Sequence, residues 1–97
     1  MTGTVDPDEA LAIRRRKLKF RSWHRGMREM DLIMGRFADA FVDRMAAPEL
    51  DQFERLIELP DPELMAWITG SAAPPAAHDT PMLRRLRDVH FAPRAGA

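Results

Sequence analysis

The sequence predicts an all-α protein, a single small bundle of five helices, and three observations carry that expectation. Met27, Met30, Ile33, Met34, Phe37, Phe41 and Met45 recur at spacings of three and four, the core-facing stripe of a long amphipathic helix. Helix-start signals built on proline recur at Asp6-Pro7, Ala47-Pro48, Asp61-Pro62 and Thr80-Pro81, where proline suits only a first turn or a loop. No stretch alternates apolar and polar residues as a half-buried strand would.

The elements follow in order. Asp6 is placed as N-cap, Pro7 in the first turn and Glu9 as the return arm of a capping-box-like pair, opening a helix from about Pro7 to about Arg25. Its apolar face is thin, with Ile13, Phe20 and Trp23 as the main buried candidates. Gly26 marks a bend, because a glycine inside a helix costs about 1 kcal/mol. The methionine and phenylalanine stripe then defines a helix from about Met27 to Met45, with Gly35 tolerated inside it for close helix packing. Leu50, Phe53, Leu56 and Ile57 make a third helix that Pro60 stops. Asp61 as N-cap and Pro62 at the first helical position open a fourth, carrying Leu64, Met65, Trp67 and Ile68 and ending at Gly70. Residues 71–79 read as a Pro/Ala-rich linker. Thr80-Pro81 caps a fifth helix with Met82, Leu83, Leu86 and Val89, followed by Phe91 and a loose tail over 92–97. The expected organisation is one domain over 1–97, with its core between about 7 and 91.

Composition narrows the function classes. A chain of 97 residues supports one modest core, and 45% apolar with 31% charged residues is the balance of a folded globular protein. The absence of cysteine excludes disulfides, thiolate metal ligands and a cysteine nucleophile. No apolar run approaches the ~20 residues that span a bilayer, so membrane insertion is not expected. His24, His78 and His90 lack metal-site spacing, and Ser22 and Ser71 lack a nucleophile elbow, so neither a metal site nor a catalytic residue is assigned. His78 lies in the linker and His90 near the tail.

Net charge is zero but unevenly spread. Arg14, Arg15, Arg16, Lys17, Lys19, Arg21, Arg25 and Arg28 follow one another without an acid, while 29–79 is acidic with only Arg36, Arg44 and Arg55 as bases. Such regions can be complementary to each other or to a partner. A phosphate-tracking role for the basic run is the alternative, weighed down by the zero net charge and the missing helix-turn-helix pattern.

The remaining constellation is Arg25-Gly26-x-x-Glu29, which by itself is a short pattern and an ordinary exposed pair four apart on a helix. In the context Phe-Arg-Ser-Trp-His-Arg-Gly-Met-Arg-Glu-Met-Asp, with Pro-Asp-Pro-Glu-Leu-Met-Ala-Trp-Ile downstream, the chain resembles the succinate dehydrogenase assembly factors that promote covalent flavin attachment. The resemblance runs from about Arg14 to Gly70, with a looser match to the last helix. It implies a five-helix protein that is not itself an enzyme, binding the flavoprotein subunit of succinate dehydrogenase or fumarate reductase and helping FAD join a histidine of that subunit. FAD would then belong to the partner and not be bound stably by this chain. It further implies that Arg25, Gly26 and Glu29 face the partner or its flavin, with Arg21, Trp23, His24, Arg28 and Asp31 as supporting surface. Under it Arg25 pairs with a partner carboxylate or favours an electron-rich flavin, Gly26 permits close backbone approach, and Glu29 orients Arg25 or binds a partner base. The expected location is the bacterial cytoplasm, or the mitochondrial matrix in a eukaryote. An antitoxin-like or nucleic-acid-binding regulatory protein is the second reading.

Overall fold

Apolar stripes, opened by proline in four cases and by the turn at Gly26 in the other, give the chain its five helices, which the computed structural model describes over residues 6–91. They are α1 (Pro7–Trp23), α2 (Arg28–Phe41), α3 (Ala47–Ile57), α4 (Asp61–Thr69) and α5 (Pro81–Phe91), with 3-10 turns at Val42–Arg44 and Ala76–His78. Among the described residues there is no strand. The tail over 92–97 and the side chain of Phe91 lie outside the described residues.

α2 is the central element. It packs along α1 and also meets α5, while α3 touches α1 and α5, and α4 touches α5. Its stripe delivers Met30, Met34, Phe37 and Ala38 to the core, where Phe37 lies 5.5 Å from the Phe53 ring of α3 and 4.9 Å from Phe41. Leu50, Leu56, Leu64, Ile68, Leu83 and Leu86 complete the cluster from the other helices.

The structure corrects several expectations. α1 stops at Trp23, not Arg25, and its buried residues are Leu18 and Ser22. Ser22 tolerates full burial because its hydroxyl donates to the Leu18 carbonyl at 2.7 Å. Ile13 and Trp23 are only half-buried, and Phe20 is 64% exposed. Met27 precedes α2 and is exposed. α2 ends at Phe41, where a tighter turn rotates Val42 and Met45 into the core in place of a continuing helix.

Capping differs as well. Asp6 is the N-cap of α1 but makes no side-chain cap bond. Asp61 lies inside the first turn of α4, whose N-cap is Pro60. Thr80 does cap α5, accepting the Leu83 N–H at 3.2 Å. Gly70 ends α4 with φ 84°, the left-handed geometry a glycine adopts without penalty. The 71–79 segment is less bare than its composition suggests, because His78 stacks on Trp67 at 5.3 Å between ring centroids.

The basic and acidic regions largely satisfy one another. Arg14 reaches Asp51 and Glu54 on α3, Lys19 pairs with Asp43 at 2.7 Å, and Arg15 donates to the Met45 carbonyl at 2.8 Å. Hydrogen bonding to Arg14 holds the Glu54 carboxyl below its ordinary range. A depressed carboxylate stabilises the fold fully above its unfolded pKa of about 4.3. That contribution is lost as pH falls through the lower folded value. Arg14→Gln should therefore narrow the stability difference between pH 7 and pH 3, read by urea denaturation at both.

Gly35 explains how α1 and α2 approach so closely. A Cβ there would overlap the indole of Trp23, which lies flat against the α2 backbone at this position. Gly35→Ala should consequently destabilise by about 1 to 3 kcal/mol through overpacking, although alanine is the better helix former. Phe37→Ala should cost about 3 to 5 kcal/mol. Thermal melts followed by circular dichroism check both, and a Gly35→Ala protein melting at or above wild type would contradict the packing argument.

Candidate functional site

Four residues, His24 to Met27, reverse the chain between α1 and α2. The reversal needs a positive φ, and Gly26 supplies it at 109°. A Cβ on Gly26 would meet nothing within 4 Å, so glycine is required here by torsion and not by crowding. Asp31, one turn into α2, accepts the backbone N–H groups of both Arg25 and Gly26 and so ties the turn to the helix behind it.

Arg25 points inward. Its Nε donates to Asp61 Oδ1 at 2.7 Å, Nη2 donates to the Leu59 carbonyl at 2.6 Å and is ion-paired with the same Asp61 oxygen, and Nη1 donates to the Ile57 carbonyl. The two side chains are 7% and 9% exposed. Asp61 and the carbonyls at the end of α3, rather than Glu29, therefore orient Arg25. Of the two expectations for Glu29, orienting Arg25 or binding a partner base, the first is corrected, and the guanidinium expected to pair with a partner carboxylate is committed within the chain. One buried, multiply bonded arginine joins the motif turn to the connection between α3 and α4.

Glu29 stands on the first turn of α2, exposed, where a carboxylate is favoured by the helix dipole. It lies at one end of a groove of about 410 Å³ between α2 and α5, with Leu32, Ile33, Arg36 and Phe37 on one side and Leu86, Val89 and His90 on the other. The groove is mostly apolar in lining, with charged residues among its walls.

The supporting residues divide. Arg21 and Arg28 are exposed, as expected of a surface. Trp23 packs over Gly35 and its Nε1 donates to Asp39 at 3.2 Å. His24 is exposed, its ring stacked on Phe20 at 4.0 Å while its Nδ1 donates to the Phe20 carbonyl at 2.7 Å. Asp31 serves the turn. The structure thus gathers Arg25, Gly26 and Asp31 into one unit and leaves Arg21, Arg28 and Glu29 on the surface. Asp61 and the α5 wall of the groove escaped sequence reasoning. The Asp-Pro-Glu start signal drew attention to Asp61 but assigned it to a cap, and no local pattern reveals a partner 36 residues away.

Comparison with known proteins bears on this arrangement. The family described as flavinator of succinate dehydrogenase matches residues 16–90, which takes in the turn, the groove and all of the Arg25 contacts. The chain belongs to this family. It is 48% identical over 79 residues to the FAD assembly factor SdhE of Acetobacter pasteurianus, covering 81% of this chain and 72% of that protein. It is 35% identical over 86 residues to the mitochondrial succinate dehydrogenase assembly factor 2-B of Drosophila ananassae, covering 87% and 53% respectively. The mitochondrial succinate dehydrogenase assembly factor 2 of Dictyostelium discoideum is 34% identical over 73 residues, covering 75% and 52%. The chain thus spans about half the length of these mitochondrial relatives. No helix among the described residues is long and apolar enough to cross a membrane.

Because Arg25 and Asp61 are buried together, removing one leaves the other charged and unpartnered. Arg25→Ala should cost about 3 to 5 kcal/mol, and the double variant with Asp61→Ala less than the sum of the two single changes. Glu29→Ala, on the surface, should stay within about 0.5 kcal/mol of wild type. Chemical denaturation of wild type and the four variants checks the set.

Proposed function

We infer that this chain is an assembly factor that binds the flavoprotein subunit of succinate dehydrogenase and promotes covalent attachment of FAD to it. The observation that carries the reading is the family match over residues 16–90 enclosing a rigid, glycine-turned surface at Arg25-Gly26-x-x-Glu29. In this reading the partner supplies both the histidine and the flavin, and the present chain contributes orientation and electrostatics without being an enzyme itself. Gly26 leaves the tip of the turn without a side chain, so a partner can approach the backbone there. Glu29 offers an acceptor beside it for a donor or base of the partner. Arg25 acts from behind by holding the turn in place. In this reading the chain acts where the flavoprotein subunit is assembled, in the cytoplasm of a bacterium or the mitochondrial matrix of a eukaryote.

The test uses cells carrying the wild-type or a variant chain as their only copy. Flavin fluorescence of the dehydrogenase subunit is read on a denaturing gel, where only covalent flavin survives. Deletion of the chain should abolish or sharply reduce the signal, and Glu29→Ala should reduce it while leaving the melting temperature of the isolated protein near wild type. Gly26→Ala should reduce it too, at a backbone strain of about 1 to 2 kcal/mol. Full fluorescence after deletion would remove the function from this chain.

A further inference from the structure

Two side chains that apolar patterning assigns to the core, Phe20 and Met27, are instead exposed, at 64% and 39%. They flank the motif turn on either side in sequence. Among the described residues only Val89 is a third large apolar side chain so exposed. Departures from pattern of this kind concentrate where a surface serves a partner.

Phe20 is also held in its outward position. The His24 ring stacks on it at 4.0 Å and 18° between planes, and His24 is itself pinned by its Nδ1 donation to the Phe20 carbonyl. A fixed exposed ring has already lost the rotamer freedom that binding would otherwise cost. Lys17, Phe20, Arg21 and His24 are spaced three, four and seven apart and all are exposed, so they form one outward face of α1. That face carries no acid. Beside it a notch of about 220 Å³ opens, walled by Phe20, Arg21, His24, Arg25 and Ile57.

Resting on the assembly-factor reading, we propose that this face of α1 is a second contact with the flavoprotein subunit. It takes a carboxylate-bearing segment whose acid enters the notch beside Arg21 and His24 and whose apolar side covers the Phe20 ring. The charge of the face selects an acidic segment, and its continuity with the Gly26 turn lets one partner cover both. An exposed, preorganised aromatic ring flanked by Lys17 and Arg21 has the make-up of an interface hot spot that a partner would bury. A nucleic acid is the less fitting occupant. Arg14, Arg15 and Lys19 of the same basic run are turned onto Met45, Asp43, Asp51 and Glu54, which shortens the cationic track that phosphates would follow.

The experiment titrates the full-length chain against the purified flavoprotein subunit lacking covalent flavin, by calorimetry at two salt concentrations. Phe20→Ala should weaken binding by about tenfold or more, with a melting temperature matching wild type. His24→Ala should weaken it less, because the ring remains but loses its support. Arg21→Gln should weaken it and flatten its salt dependence. Wild-type binding that Phe20→Ala leaves unchanged overturns this contact while leaving the assembly-factor reading intact. Failure of the wild-type chain to bind the subunit overturns both. Saturable, salt-sensitive binding of a single-stranded oligonucleotide, or a concentration-dependent dimer on size exclusion, in either case abolished by Phe20→Ala, would reassign the face to that occupant.

Discussion

The contact between Arg25 and Asp61 governs how the turn between α1 and α2 is presented. A chain reversal of four residues with a glycine at its tip has little reason to adopt one shape by itself. Here the backbone on one side is tied to Asp31, and the arginine before the glycine is driven through to the far side, where Asp61 and two carbonyls receive it. Such a buried ion pair adds little net stability against an apolar substitute, because two charges lose their water. What the pair does do is fasten the turn to the α3–α4 connection through all three guanidinium nitrogens at once.

That arrangement separates the roles within the motif. Arg25 works inward, Gly26 supplies a torsion that other residues resist, and Glu29 remains on the surface at the mouth of the groove between α2 and α5. A carboxylate four residues after an arginine on a helix ordinarily reads as its ion-pair partner. Here the arginine is in the turn before α2 begins, so the helical spacing that would bring the two together does not apply.

The charge asymmetry resolves along similar lines. Arg14 and Lys19 face the acidic residues of α3 and of the turn after α2, and Arg85 on α5 pairs with Glu49 while its guanidinium lies 5.1 Å from the centre of the Phe41 ring. Much of the basic run is therefore structural cement between helices. What stays exposed on α1 is a shorter set of cations around an aromatic ring, next to the turn.

The sequence by itself determined the all-α class, the five helices with proline starts on four of them, and the core membership of Met30, Met34, Phe37, Phe53, Leu64, Trp67 and Leu83. These follow from local periodicity and capping, which neighbouring residues decide among themselves. The motif and the family resemblance were legible for the same reason, being contiguous. Only the tertiary structure decided the direction of Arg25, the service of Asp61, the burial of Ser22, the exposure of Phe20 and Met27, and the stacking of His78 on Trp67. Each depends on which helix lies opposite, and periodicity is silent on that: a helix face is apolar or polar by pattern, but whether a neighbour covers it is set by packing across tens of residues.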